Sequence, residues 1–489
     1  MITGLGHGPI PSPSGEGASS LSSLVYVYHP SNICKMDFDN LAKQQSDRIF
    51  QLWIQNLLGN SPEILAGKLA SRHCPGSTPI TASRLPNGAF NICYRVTFKN
   101  DHRVVVRFVG LGRVIARNEK VEDEVALMQY LAQHTAIPVP NILGSGKCAV
   151  GPYIVMDFVE GKPLSGYLTD ASQPTVTLSS VISMSVLRRA YSDMAKILLE
   201  LSKPEFPYIG AIRQDKSGEW TVQKRPLTFN MNRLAQFSNI PLKVFERGCF
   251  SNAADYFEEL ARHQLYHLEL QRNDAVTDEV DCRKKYIARC LFRKLSREIS
   301  KEHCRGPFRL YCDDLRPDNV LFDASSLTVT GVVDWEFAYA APVEFTLAAP
   351  CWLLLESPED WEPDLDQFLL RFMPRLRTFL EVLNHCEAKK IQDGSLSESQ
   401  RLSTAMEKSL ETGLFWICLA SRHSSMFDEI YWSFIDSRFY GPFTTIEDRL
   451  GLLSAEERLN IDAIVESKMR QASEGTLISH YSIDELIDL

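Results

Sequence analysis

From Asp37 to about Leu58 the apolar residues Phe50, Trp53, Ile54 and Leu57 recur at steps of three and four, the spacing of one helix face. The period then changes. Ile80 to Leu85 reads as a short strand and residues 86–91 as a loop. Tyr94 to Phe98 and Arg103 to Val109 read as two strands, joined into a hairpin by the polar turn Lys99-Asn100-Asp101-His102. Glu119 to Gln133 returns to helical spacing, which Pro138 and Pro140 close, and Tyr153 to Phe158 is a further strand ahead of Gly161 and Pro163. A small antiparallel sheet with one helix is therefore expected over residues 70–158.

Beyond that point the pattern is mostly helical. Val186 to Leu201, Ala253 to Glu269 and the strongly basic Asp281 to Glu302 have helical spacing, and Leu402, Met406, Leu410, Leu414 and Ile417 mark another helix. One compact β element interrupts them, a hairpin of Asn319 to Asp323 and Leu327 to Val333 around Ala324-Ser325-Ser326. The layout predicts an α+β chain in two lobes. Residues 37–158 supply an N-terminal helix and a small antiparallel-sheet lobe. Residues 159–489 supply a large, mostly helical lobe with a helical insertion at about 205–305. Residues 1–36 are rich in Gly, Ser and Pro and are expected to be disordered. They lack the basic start and apolar centre of a secretory signal and the arginines of a mitochondrial presequence.

Composition narrows the field without choosing a function. Hydrophobic residues make up 44% and charged residues 23%, which excludes collagen-like, coiled-coil and wholly disordered chains. The net charge of −9 argues against broad binding to a nucleic-acid backbone. The longest strongly apolar run, Leu414 to Ala420, falls far short of the ~20 residues that cross a bilayer, so no membrane association is expected. The 12 cysteines contain no Cys-x-x-Cys pair, which points to free thiols in a reducing compartment, the cytoplasm.

The densest chemistry lies in Tyr311-Cys312-Asp313-Asp314-Leu315-Arg316-Pro317-Asp318-Asn319-Val320-Leu321. Three carboxylates, one arginine and one carboxamide fall within seven residues. Fifteen residues after Asn319, in Gly331-Val332-Val333-Asp334-Trp335-Glu336-Phe337, an apolar strand ends in a carboxylate. A loop acid, an Asn and a strand-end acid supply hard oxygen ligands on one side of a cleft, the set Mg²⁺ takes together with substrate phosphates and water. The remaining loop carboxylate can accept a proton from an attacking hydroxyl. A polar turn with solvated acids accounts for Asp313 and Asp318, but less well for Asp314, Asn319 and Asp334 arranged around one hairpin.

The stretch from Cys312 to Asn319 resembles the catalytic loop of the protein-kinase-like fold, and specifically that of the aminoglycoside phosphotransferase-like family, which reads His-Gly-Asp-x-x-x-x-Asn. The longer Leu-Tyr-Cys-Asp-Asp-Leu-Arg-Pro-Asp-Asn-Val-Leu, followed by Val-Val-Asp-Trp-Glu-Phe, is similar to a fungal branch of it. The resemblance implies a two-lobed kinase-like fold and transfer of the γ-phosphoryl group of ATP to a hydroxyl of a small molecule. It makes Asp314 the catalytic acid, Asn319 and Asp334 the Mg²⁺ ligands, and Arg316 a cation beside the transferred phosphate. Arg107 is the single charge in the apolar strand Val104 to Val109, and Glu124 shares a helical stripe with Leu127, Met128 and Leu131. A carboxylate there needs a partner, and Arg107 paired with Glu124 is expected to hold nucleotide phosphates. Asn87 and Gly88 stand where the family has its phosphate-covering turn. Tyr153 to Gly161 resembles the hinge between lobes, where backbone groups of Asp157 and Val159 would meet the adenine edge.

This sequence departs from the pattern at three places: Cys312 replaces the loop histidine, Asp313 the glycine and Arg107 the strand lysine. A pseudokinase that serves as a nucleotide- or partner-binding scaffold is the alternative they motivate; protein partners are otherwise left undetermined. A protein kinase acting on polypeptides fits less well, because Ala341-Pro342-Val343-Glu344 follows Asp334 too soon for a long activation loop. Arg289, Arg293 and Arg297 lie on one helical face and read as solvated, with Glu298 and Glu302 as neighbours, rather than as a nucleic-acid site. His263 and His267 read as a partly exposed pair. Glu356, Glu359 and Asp360 read as a solvated loop, with a wall for a cationic acceptor as the second option, and Tyr431-Trp432-Ser433-Phe434 as packing or a pocket wall.

Overall fold

The computed structural model describes residues 36–86, 88–170, 176–361 and 365–489. Helix α1, Asn40–Gly59, opens where the Asp39 side chain accepts the N–H groups of Leu41 and Ala42. The other Asp39 oxygen accepts from the Asn273 amide at 2.9 Å, so the start of α1 is stapled to the large lobe. Helix α2, Pro62–His73, has no counterpart in the sequence reading. Its buried face is Ala66, Gly67, Leu69 and Ala70, small residues that carry little periodic signal.

The small lobe is a five-stranded antiparallel sheet in the order β1-β2-β3-β5-β4. The strands are β1 (Pro79–Arg84), β2 (Asn91–Phe98), β3 (Arg103–Val109), β4 (Ile142–Cys148) and β5 (Gly151–Asp157). The predicted hairpin is β2–β3, with Asp101 in the left-handed region of its turn. Strand β4 escapes a propensity reading because Gly144 and Gly146 interrupt it. Gly144 is required there, since a Cβ would stand 2.0 Å from the His73 ring. Ile92, Tyr94, Val96, Val104, Val106 and Phe108 face α1 and α2. Period-two alternation sends Arg107 and Val109 to the other face, which α3, Arg117–His134, covers with Leu127, Met128 and Leu131.

The large lobe begins with β6 (Lys162–Pro163) and α4 (Met184–Leu201). The expected helical insertion proves mixed. A hairpin of β7 (Ala211–Gln214) and β8 (Trp220–Lys224) precedes α5 (Phe229–Phe237), α6 (Ala253–Leu270) and α7 (Glu279–Ser296). Polar ends of that hairpin pair with α3: Lys224 with Glu119 and Asp123, and Arg213 with Glu122 at 3.1 Å. Strand β9 (Arg309–Cys312) pairs with β12 (Ala338–Ala341), and β10 (Val320–Asp323) joins β11 (Thr328–Val332) and β6 in a second small sheet. Short α8 (Val343–Leu347) leads to α9 (Leu365–Gln392). The single helix expected around residues 402–417 is two, α10 (Ser403–Thr412) and α11 (Leu414–Arg422), because Gly413 turns the chain at φ 84°.

Three surface readings are corrected. The basic face of α7 divides: Arg289 is wholly buried and holds Asp428 through two bonds of 2.7 and 3.0 Å, whereas the side chains of Arg293 and Arg297 stay 40% and 63% exposed. Arg293 reaches Glu457 at 3.2 Å and Arg297 reaches Glu258, so the acids come from other elements of the fold. His263 and His267 are both buried, the first beside Glu259 and the second against Gln271 at 3.0 Å, and they converge on no common ligand. Glu356 is buried and pairs with Arg371 at 2.7 Å, Glu359 is partly buried and pairs with Arg233, and Asp360 accepts from the Ser357 hydroxyl. The residues expected to be free acids in a loop are thus largely neutralised. Tyr431, Trp432 and Phe434 are core residues of the large lobe.

Candidate active site

Two of the small sheets of the large lobe, β9–β12 and β6–β10–β11, aim two turns at one point. β9 delivers Asp313 and Asp314, and a 3-10 turn at Pro317–Asn319 returns the chain into β10. β11 then delivers Asp334, Trp335 and Glu336, and β12 locks the second turn beside the first through the Cys312–Ala338 pairing. Asp334 and Phe337 both hold positive φ, 63° and 59°. A non-glycine residue held there costs about 1–3 kcal/mol and marks a place where the surroundings over-determine the backbone.

Oxygen atoms of Asp314, Asp334 and Glu336 lie within 4.8 Å of one another. Burial pushes the Asp314 carboxyl up to about 6 despite Arg316. Burial, and next the charge of Glu336, pushes Asp334 up to about 8. Carboxylates this close repel when ionised, and a divalent cation is the usual means of letting them ionise together. The donor set therefore fits a hard cation. Asn319 is buried and donates to the Asp314 carbonyl at 2.8 Å and its carboxylate at 3.3 Å, leaving its own Oδ1 as a further hard donor. Arg316 is half exposed and stands 3.3 Å from both Asp314 and Asp318.

Facing these acids is a buried chain of alternating charge. Arg107 pairs with Glu124, and its Nη1 donates to Asp334 at 3.1 Å. Lys120, one turn before Glu124, is 3.5 Å from Glu124 and pairs with Glu336. Asn91 at the start of β2 donates to Glu336 at 3.1 Å and accepts from Lys120 at 3.3 Å. Burial alone would raise Glu124, but Arg107 and Lys120 hold its carboxyl below the usual range. The expected Arg107–Glu124 pair is present, and the structure extends it to both turns of the large lobe. Glu336 and Lys120 were missed in sequence. Glu336 had a local signal, standing two residues after Asp334. Lys120 had the i,i+4 spacing to Glu124.

The remaining predicted residues divide. Asn87 lies outside the described residues. Gly88 is exposed in the loop between β1 and β2. The same loop carries Phe90, whose ring packs edge-on against Phe229 and Phe337 at 5.8 and 5.7 Å. In the segment expected to be the hinge, Asp157 has spent its N–H on the Asn141 carbonyl at 3.0 Å and its carboxylate on His102 and Asn141. Val159 packs against Gly331, where a Cβ would come 2.7 Å from its Cγ1. Asp313, which replaces the family's loop glycine, spends its carboxylate on other parts of the large lobe. Its carboxylate accepts from the Phe229 N–H at 3.0 Å and from the Tyr339 hydroxyl at 3.4 Å, and faces Arg422 at 3.7 Å. Cys312 is buried and its thiol donates to the Glu336 carbonyl. The eleven described cysteines are all free. No described helix is long and apolar enough to cross a membrane.

The model of the family described as "Phosphotransferase enzyme family" matches residues 81–379. Clavilactone A biosynthesis cluster protein Y of Ampulloclitocybe clavipes is 27% identical over 251 residues, covering 50% of this chain and 56% of that protein. Altered inheritance of mitochondria protein 9, mitochondrial, of Meyerozyma guilliermondii is 21% identical over 338 residues, covering 62% of this chain and 55% of that protein. The chain spans about half the length of the curated relatives it matches. Among solved structures, macrolide 2'-phosphotransferase MphH from Brachybacterium faecium is 14% identical with a TM-score of 0.35, covering 78% of this chain and 98% of that one.

Proposed function

The chain belongs to the phosphotransferase enzyme family, whose model spans residues 81–379, and from that premise we propose that it transfers the γ-phosphoryl group of ATP, with Mg²⁺, to a hydroxyl of a small molecule. The observation that carries this reading is the convergence of Asp314, Asp334 and Glu336 within 4.8 Å, opposite the buried Arg107 and Lys120. Asp314 is the proton acceptor. Its carboxyl, pushed up to about 6, is ionised at neutral pH yet more basic than an ordinary Asp. The acceptor hydroxyl gives its proton to Asp314 as its oxygen bonds to the γ-phosphorus; the bond to the β–γ bridging oxygen breaks and ADP leaves. Asn319 fixes Asp314 through its carbonyl and carboxylate. Arg316, half exposed beside Asp314, offsets charge on the moving group.

Asp334, Asn319 and Glu336 would hold Mg²⁺, which when bound neutralises charge on the phosphate oxygens. Arg107, ordered by Glu124, supplies the phosphate-side cation, and Asn87 and Gly88 the covering turn. Because the Asp157 N–H is taken by Asn141, adenine contact falls to the Asp157 carbonyl and the Val159 backbone. An uncharged acceptor suits this cleft better than a polycation, since Asp313, Glu356 and Glu359 are already paired. In this reading the compartment is the cytoplasm, with no nucleic acid or membrane as partner, residues 37–158 form the nucleotide-binding lobe, and residues 159–489 form the lobe that carries the catalytic loop.

The second reading, a pseudokinase scaffold, draws on the Arg107–Asp334 ion pair, which engages the phosphate-side cation on a metal-binding carboxylate. Incubation with γ-labelled ATP, Mg²⁺ and a panel of hydroxyl compounds separates the two. Labelled product from the wild type and none from Asp314→Asn supports transfer. Mg²⁺-dependent ATP binding with no turnover toward any acceptor or water supports the scaffold.

A further inference from the structure

The turn that carries Asp314 is not packed tightly from behind. A cavity of about 50 Å³ lies there, lined in part by Tyr311, Cys312, Asp313, Cys351, Met406 and Arg422. Protein interiors hold loops by dense contact; where contact is incomplete, polar anchors decide the loop's position. The anchor here is Asp313, one peptide bond from Asp314. Its side chain is 5% exposed, and its partners are the Phe229 N–H, the Tyr339 hydroxyl and Arg422.

Arg422, the last residue of α11, is the arginine among those partners and faces Asp313 at 3.7 Å, with the neighbouring His423 acting on the same carboxylate. It is itself held firmly. Its Nη1 donates to the Tyr311 hydroxyl at 2.6 Å and its Nε to the Cys418 carbonyl at 3.1 Å. Its guanidinium lies 4.7 and 4.8 Å from the ring centres of Tyr311 and Phe345. Tyr311 belongs to β9, the strand that delivers the loop, so one guanidinium ties both the strand and the loop to α11.

We infer that Arg422 is a positioning residue for phosphoryl transfer: through Asp313 and Tyr311 it fixes the loop from behind and thereby sets where the Asp314 carboxylate stands. The catalytic half of this inference rests on the proposed phosphotransferase reading; the loop-anchoring half does not. A displacement of 1 Å at a reacting group costs about 10²-fold in rate, so an anchor 3.7 Å behind the loop is worth a measurable part of turnover without touching substrate.

The test uses the full chain with Arg422→Gln, Asp313→Asn and the double variant. Cys312 reports on the back of the loop, since it is 5% exposed and lines the cavity; Cys290, 3% exposed in α7, is the control for global loosening. Labelling by iodoacetamide, read peptide by peptide in a mass spectrometer, is expected to rise at least about tenfold at Cys312 in each variant and not at Cys290. Hydrolysis of Mg·ATP with water as acceptor is expected to fall about tenfold or more in kcat, with KM for ATP within about twofold. The double variant should be no worse than the worse single, because the two residues act as one unit. Arg422→Lys, which keeps charge but loses the planar fork, should recover part of the turnover. Unchanged Cys312 labelling, or Cys290 rising in step with it, overturns the anchor. Faster Cys312 labelling with unchanged kcat overturns the positioning role. A wild-type protein that binds no Mg·ATP sinks the phosphotransferase reading instead, while the labelling arm still decides the anchor.

Discussion

Two of the molecule's buried arginine networks, those of Arg289 and Arg107, are built on opposite terms. Around Arg289 every donor is matched: Nε to the Gln264 carbonyl at 2.9 Å, Nη1 to the Lys285 carbonyl at 3.0 Å, Nη2 to Met36 Sδ at 3.3 Å, and the fork to Asp428. One cation meets one carboxylate and nothing is left over. Around Arg107 the sum does not close. Arg107 and Lys120 face Glu124, Asp334 and Glu336, and half-exposed Arg316 stands beside Asp314, so three cations meet four acids, two of which are pushed up to about 6 and about 8. A closed network of this kind fixes packing. A network with surplus negative charge at a cleft has a use for another cation, and perturbed acids cluster where chemistry is done.

The contrast can be broken at either end. The largest expected effect is at Asp314. Asp314→Asn should lower transfer by about 10³-fold or more, the scale of a lost general base plus lost positioning, while Mg·ATP affinity by calorimetry stays within a few-fold. Equal loss of binding would show that Asp314 serves the metal instead. Next is Arg289. Arg289→Met leaves Asp428 buried and unpaired, so unfolding free energy should fall by about 3–5 kcal/mol in a denaturant titration. Adding Asp428→Leu should restore much of that. Nucleotide affinity should not move beyond the loss of folded protein; if it does, the Arg289 network is coupled to the site and the comparison fails.

Glu124→Gln comes third. It removes the charge that orders both Arg107 and Lys120, and KM for ATP should rise about tenfold. The melting temperature should fall by a few degrees at most, because both cations keep a second acid, Asp334 and Glu336 respectively. The smallest effect is expected at Arg316, which is half exposed. Arg316→Lys should cost only a few-fold in kcat, since charge is kept and only the planar fork is lost.

What was legible in the sequence was what is local. The β2–β3 and β10–β11 hairpins announced themselves through alternation and a turn, and the acid-rich loop through spacing. Arg107 and Glu124 stood out because each is a lone charge on an apolar face, which demands a partner. What was hidden depends on closure over long distances. Nothing near Arg289 says that Asp428 will reach it, and nothing near Asp313 says that Arg422 will. The reading of Arg289 as solvated failed for that reason, while Arg297 on the same face is exposed: a basic run looks the same whether water or another helix covers it. Likewise α2 and β4 are built on Ala and Gly whose role is close approach, which leaves no hydrophobic rhythm to read. Glu356 and Glu359 looked like free acids only because Arg371 and Arg233 are elsewhere in the chain.

The central claim is that the surplus negative charge around Asp334 is there to hold a metal–nucleotide complex. The most direct test is isothermal titration of ATP into the full chain, with Mg²⁺ and with EDTA, for wild type and Asp334→Ala. The account predicts binding by the wild type that weakens at least about tenfold without Mg²⁺, and no Mg²⁺ dependence in Asp334→Ala. Equal ATP affinity with and without Mg²⁺ in the wild type, or a mutant that keeps the Mg²⁺ dependence, would contradict it.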